Sequence, residues 1–404
     1  MIRLKDTKHA NTAEFLNSAI RIAEYYGFTS LDEMKPTRMS REDEKRRAAA
    51  AKNENEIAFA RRDERGLAQI ARKCVACARG SDRGGTLIWR TSMGASGMPS
   101  ATLELHVLGS PSAIAEALLL VIVNAIAEEA GLTARSLAIN NIGSYESSNR
   151  FVRDVGSYLR KHIESISPTL RPRAAIDPLG TLVQLIEKGH PAAPRAPQSM
   201  EYLTEEERRR FWDLLEYLEI YGLSYELSPH VLGSRDCWSH SLYEINISDQ
   251  ETGAQFAIAS GGRYDPLASR FAVSPMPAAM ISINCEIRGK TRVVREVRGV
   301  PSIYYAHLGP EARRKSLSVL EGLRRAEIPV HQSLLYDRIA EQMTRAKELA
   351  VPYILIMGYK EAMENTILVR EVATNAQEAI PLDELPNYLR RRRMGSWKSL
   401  AANL

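Results

Sequence analysis

Cysteine is scarce in this sequence, four residues in 404. That excludes a disulfide scaffold and fits a reducing cytoplasm, the expected location. Long apolar runs are missing as well. The longest candidate, Ala113 to Ala127, is interrupted by Glu116 and Asn124, and nothing reaches the ~18 residues of a membrane span, so no membrane partner is expected. The opening MIRLKDTKHANTAEF has no apolar core of a secretory signal. A strong excess of one charge is also lacking: 54 Lys+Arg against 49 Asp+Glu leaves +5, which permits nucleic-acid binding but is too mild to argue for it. Neither common nucleotide motif occurs. There is no Walker A string, and Gly84-Gly85 runs into the strand-like TLIWR instead of opening a helix. Metal-ligand spacing is thin. Cys74-x-x-Cys77 falls in a helical run, Cys237-x-x-His240 at a strand start, Cys285 stands alone and no HxxH occurs. Small residues on a helix and a strand account for these spacings, and no metal site is predicted.

What is present is an ordinary globular composition, 44% apolar and 25% charged. The length suits two or three domains at ~150 residues each, ample for a core without staples. Phe15, Leu16, Ala19, Ile20 and Ala23 recur at helical spacing up to a stop at Gly27. Ser40 to Arg65 reads as an exposed, charged helix capped by Ser40. Thr86–Arg90 and Thr102–Leu108 read as strands around the turn MGASGMPS, followed by an apolar helix from Ser112 to Ala130. Six prolines between residues 166 and 200 suggest an insertion or loop-rich crossing. Thr204 with Glu207 forms a capping signature for a helix through Tyr221. From Tyr225 to Cys285 the pattern is mostly strand, and 288–300 is basic and linker-like. Beyond Pro301 strands and helices alternate, the sign of a small α/β domain with a largely parallel sheet. The arginine run from Arg390 opens a basic tail.

The strongest local signal is Ser260-Gly261-Gly262-Arg263-Tyr264-Asp265-Pro266-Leu267, directly after the strand QFAIAS. Twin glycines at a strand end let the backbone approach a ligand. Arg263, Tyr264 and Asp265 then offer a planar donor fork, a hydroxyl and an acceptor, a set that suits an amino acid or a phosphorylated intermediate. The alternative is a glycine turn with a structural Arg–Asp pair.

GGRYDPL resembles the GGRYDGL signature of histidyl-tRNA synthetases and their paralogues. RDCWSHSLYEI upstream is similar to the family's strand pair RGLDYYTGTVFE, with Asp236, Tyr243 and Glu244 in register, and the C-terminal part resembles the anticodon-binding domain, including Gln342-x-x-x-Ala346 and the strand ending at Gly358. The opening helix with YYGF resembles the approach to class II motif 1. The resemblance implies an α+β class II catalytic domain, an antiparallel sheet with helices, over 1–290, a linker at 291–300, an anticodon-binding-like α/β domain over 301–390 and a basic tail at 391–404. It implies histidine recognition by Arg263, Tyr264 and Asp265 with Gly261 and Gly262, a homodimer, tRNA contact through the C-terminal domain and, if the protein is active, ATP with Mg.

Departures from the family pattern concern charge. Motif 2 should read FRYE; Trp89-Arg90-Thr91-Ser92 keeps Arg90, a remnant phosphate contact, and has Ser92 in place of the Glu. Motif 3 should end Gly-x-Glu-Arg; Asn284-Cys285-Glu286-Ile287 has Ile287 at the Arg position. The Arg of RGLDYY falls on Gly233, with Arg235 the nearest substitute, and the motif 1 proline falls on Met34, two residues before Pro36. Adenylate formation relies on preorganised cations, each worth ~10²–10³ in rate. Arg61, Arg62 and Arg65 are candidate replacements. Three readings follow: a paralogue without standard aminoacylation that binds histidine, a histidine-like ligand or tRNA; a divergent ATP-dependent histidine–tRNA ligase, or a ligase to another acceptor; and a regulatory subunit of a metabolic enzyme.

Overall fold

The 3.6-residue spacing at the start of the chain produces helix α1 (Thr12–Tyr25), with Asn11 accepting from the Glu14 N–H as N-cap and the apolar stripe buried. The computed structural model describes residues 1–36, 63–78, 85–94, 99–133, 135–248, 255–294, 300–392, 394 and 397–398. Most of the helix expected over Ser40–Arg65, including Arg61 and Arg62, lies outside the described residues, as do the middle of the MGASGMPS turn and most of the basic tail.

After α1 come β1 (Thr29–Ser30), α2 (Asp63–Cys77), β2 (Thr86–Gly94), β3 (Ser100–Leu108), α3 (Ile114–Glu129), β4 (Arg135–Asn141), α4 (Tyr145–Lys161), α5 (Arg171–Ile176), α6 (Pro178–Glu187), α7 (Glu205–Tyr221), β5 (Glu226–Leu227), β6 (Ser239–Ser248), β7 (Gln255–Arg263), α8 (Asp265–Phe271) and β8 (Ala278–Glu286). Eight strands form one sheet in the order β1-β2-β3-β8-β7-β6-β4-β5. It is antiparallel from β2 to β4, with the two-residue strands β1 and β5 added parallel at the edges. Alternation along the strands gives the sheet two unlike faces. Leu103, Leu105, Val107, Tyr243, Ile245, Ile281 and Ile283 pack with α1 and α3. Helix α3 is buried nearly all round, which is why its sequence is the longest apolar run. On the opposite face, α2 and α8 cover only the end carrying Ile88, Leu108, Leu242 and Met280.

The C-terminal unit holds β9 (Val300–Pro301), β10 (Ile303–His307), α9 (Pro310–Arg325), β11 (His331–Gln332), α10 (Ile339–Glu348), β12 (Tyr353–Met357), α11 (Tyr359–Glu364), β13 (Thr366–Glu371), β14 (Gln377–Pro381), α12 (Leu385–Arg391) and β15 (Trp397–Lys398). Its main sheet runs β11-β10-β12-β13-β14. The first three strands are parallel, but β13 and β14 form an antiparallel hairpin, so the sheet is mixed and not largely parallel.

Three other expectations change. The proline-rich segment carries two helices, because Pro172 and Pro178 sit in first turns, where no amide donor is needed. The strand run after Tyr225 is broken by α8, whose first turn holds Pro266. Arg390 and Arg391 end α12 instead of starting a free tail, and Arg390 donates to the Ala326 carbonyl.

Candidate functional site

The partly open half of the large sheet is the candidate site. Strand register places Arg90 beside Glu104, Glu104 beside Ser282, Ser282 beside Ser260 and Ser260 beside Glu244, one polar row across five strands. One step toward the covered end runs Ile88, His106, Met280, Gly262 and Leu242. On the outer side Ser92, Thr102 and Asn284 line up, and Thr102 Oγ1 donates to Asn284 Oδ1 at 2.8 Å. Arg90 lies 3.3 Å from Glu104 Oε2, so the cation kept from the motif 2 pattern is paired within its own hairpin. Burial pushes the Glu104 carboxyl above its usual range, and Arg90 only partly counters it. His106 is fully buried with Nδ1 3.0 Å from the Tyr264 hydroxyl; burial, with Arg90 adding to it, pushes its pKa down to about 3.

Of the Arg–Tyr–Asp run, Arg263 and Tyr264 point inward and Asp265 stays partly exposed. Arg263 is 0% exposed, with NH1 2.7 Å from Glu116 Oε2, NH2 2.6 Å from the Ser110 carbonyl and Nε 3.1 Å from Asp265 Oδ2. Burial disfavours its charge, and Glu116 and Asp265 more than offset this. Asp265 Oδ1 accepts the Ala278 N–H at 2.7 Å, which ties the start of α8 to β8. Tyr264 is fully buried against His106 in an edge-on ring contact. The glycines are explained by neighbouring strands: a Cβ on Gly261 would stand 2.1 Å from the Met280 carbonyl oxygen, and one on Gly262 2.6 Å from that of Ser241. Together the GGRYD residues bind sheet to helices.

Sequence reasoning missed Glu116, the partner of Arg263, and the signal was available. Glu116 and Asn124 interrupt an otherwise apolar helix, and both are buried and engaged, Glu116 by Arg263 and Ser241, Asn124 by Arg135. At the rim, Arg235 is half-buried and stacks on Tyr145, 5.7 Å from the ring centre. Gly233 has no room for a side chain: its Cβ would meet Trp238 at 2.4 Å and Glu64 at 3.2 Å. Glu64 is buried and accepts from the Ser234 N–H and the Trp238 indole. Ile287 packs against the main core.

Of the arginines named from the sequence, Arg90 is already paired, Arg235 lies at the edge of this face and Arg65 stands on α2. A triphosphate needs several unspent donors, and the paired Arg90 with the single Arg235 do not by themselves supply them. Nor do the described residues include a group of three or more His, Cys, Asp or Glu able to hold a metal ion. The four cysteines are buried thiols. No described helix is long and apolar enough to cross a membrane.

Comparison with known proteins gives concordant results. The family described as "Anticodon binding domain" matches residues 304–392. The histidine–tRNA ligase of Bacillus subtilis (strain 168) is 27% identical over 296 residues, 72% of this chain and 70% of that one. That of Symbiobacterium thermophilum is 26% identical over 298 residues, 72% and 68% of the two chains. Among solved structures, apo S. aureus histidyl-tRNA synthetase aligns with a TM-score of 0.49 at 17% identity, over 95% of this chain and 98% of that one. A Bacillus halodurans protein described as an ATP phosphoribosyltransferase regulatory subunit/histidyl-tRNA synthetase aligns with a TM-score of 0.40 at 16% identity, over 85% and 93%. The sequence relatives and the C-terminal match make the chain similar to histidine–tRNA ligases over about seven tenths of its length, with an anticodon-binding-type domain at its C-terminal end.

Proposed function

We propose that this protein is a histidyl-tRNA synthetase paralogue that binds histidine or a histidine-like ligand on the sheet face without standard aminoacylation. It acts as a homodimeric binding or regulatory module, with tRNA contact through the domain at 301–390. The observation that carries this reading is the fate of the cations. Arg263 is spent inside the fold, Arg90 is paired with Glu104, Gly233 is walled off by Trp238, and Ile287 has no donor. A pentacoordinate phosphoryl transition state held by such a set loses the charge stabilisation on which adenylation depends. In this reading Arg90 is a remnant, and Tyr264 and Asp265 shape the pocket from beneath.

The second reading, an active ATP-dependent histidine–tRNA ligase, draws on the partly exposed Arg235 at the rim and on relatives that bear that name. Histidine-dependent ATP–pyrophosphate exchange separates the two. We expect none above background even at high protein concentration, together with histidine binding by calorimetry. Measurable exchange would overturn the first reading, and absence of histidine binding would remove its ligand.

A further inference from the structure

A separate cleft of about 310 Å³ lies where α7 meets the head of α9, at the junction of the two units. Such junctions are common places for small-molecule sites. Within the C-terminal sheet, the chain leaves β10 toward β11 on one side, and β12 lies on the other, so the carboxyl end of β10 is where strand order reverses. Open α/β sheets bind ligands at such points. Helix α9 is 16 residues long and starts from Gly309, at φ +90°, which has no side chain to cap the first-turn amides. Those amides and the helix dipole favour an anion.

Two side chains carry the argument beyond the helix end. His307, the last residue of β10, is 2% exposed; its backbone is held both ways by Gln342, at 3.0 and 2.9 Å, yet its ring Nε2 has no hydrogen-bond partner. The Ser333 and Leu334 carbonyls lie beside the ring and favour its charged form, and the Leu334 carbonyl also accepts from Arg313 Nε at 3.1 Å. Arg313 gives NH1 to Asp337 at 2.6 Å, and its NH2 is buried without a partner. An unsatisfied buried polar group costs about 1–3 kcal/mol, so two in one cleft wall call for an acceptor. Facing them from α7, Asp213 lines the same cleft and forms no ion pair among the described residues, whereas Arg314 is engaged by Glu216 at 2.9 Å. The cleft thus has oxyanion-seeking donors at one end and a spare carboxylate on the opposite wall.

We propose that this cleft binds a free α-amino acid, with its carboxylate on the head of α9 and Arg313 and its ammonium toward Asp213. The site is independent of the sheet face. The test is calorimetry of the full chain with each of the twenty free amino acids, then with the α-amide and the decarboxylated amine of any that bind, and with inorganic phosphate. We expect at least one amino acid to bind, its amide and amine to fail, and Arg313→Gln and Asp213→Asn each to weaken it about tenfold or more, as for a lost charge contact. Ser282→Ala, whatever it does to histidine on the sheet face, should leave the Asp213-dependent binding unchanged. Asp213 is exposed, so D213N keeps the test readable if R313Q fails to fold. Three results overturn the proposal: no binding at millimolar amino acid, binding insensitive to D213N, or phosphate binding that depends on Arg313 and not on Asp213.

Discussion

Arg263 shows how far a residue's role depends on where its side chain goes. In a string such as GGRYD an arginine followed by a tyrosine and an aspartate offers the chemistry of a ligand pocket, and only burial distinguishes that from an internal clamp. Here every nitrogen of the guanidinium has a partner, and Glu116 is held ionised at a buried site, since Arg263, Arg210 and Ser241 outweigh the cost of burial. Removing one partner of such a pair leaves the other charge uncompensated, typically at about 3–5 kcal/mol. Arg263→Ala should therefore lower unfolding free energy in urea by about that amount. A double Arg263→Met, Glu116→Leu variant, which removes both charges, should recover most of the loss. A stable R263A protein that has merely lost ligand affinity would return Arg263 to the ligand pocket.

At the level of elements, helix α7 serves both the cleft beside α9 and the main core. Thr204 and Glu207 form the reciprocal cap seen in the sequence, and the Glu207 carboxylate also accepts from the Ser144 N–H at 2.6 Å and from the Ser147 hydroxyl at 2.8 Å. The cap thereby joins the start of α7 to the start of α4. Thr204→Ala should cost about 1 kcal/mol of stability in chemical denaturation, and Thr204→Ser should restore nearly all of it. An unchanged midpoint for T204A would show that Glu207 holds the junction alone. The cap was legible because it is local, a matter of four residues. The joining to α4 was not, because Ser144 lies 63 positions away from Glu207. Likewise the helices of the proline-rich segment were hidden because a proline looks the same in a loop and in a first turn.

Across the whole molecule, the two units are bound by a chain of charges. Glu321 on α9 is 4% exposed and accepts from Tyr26 at 2.8 Å, from Arg324 through both Nε and NH2, and from Arg325 at 2.9 Å. Arg324 continues to Glu129 at 2.9 Å and Arg325 to Glu128 at 2.6 Å, both on α3. Each carboxylate is met by more than one donor, which repays the desolvation that an isolated buried pair would not recover. Glu321→Ala should lower stability by about 3 kcal/mol or more and split the calorimetric unfolding into two transitions as the units part. A single transition at the wild-type temperature would show that apolar packing alone unites them.

The sequence by itself determined the class of the protein and the order of its parts. Local periodicity, the GGRYDPL string and the alternation beyond Pro301 are properties of neighbouring residues, and so they survive in one dimension. Through the family resemblance it also pointed to Gly233 and Ile287 as positions where arginine is expected. The tertiary structure decided the direction of every side chain that mattered. Arg90 meets Glu104, and Arg263 meets Glu116, through contacts across strands and between a strand and a helix. Such meetings depend on register and on which face a helix covers, which no local pattern encodes. For the same reason the cleft beside His307 could not be read in advance: its walls come from residues as far apart in the chain as Ser112, Asp213 and Asp337, brought together only by docking of the two units.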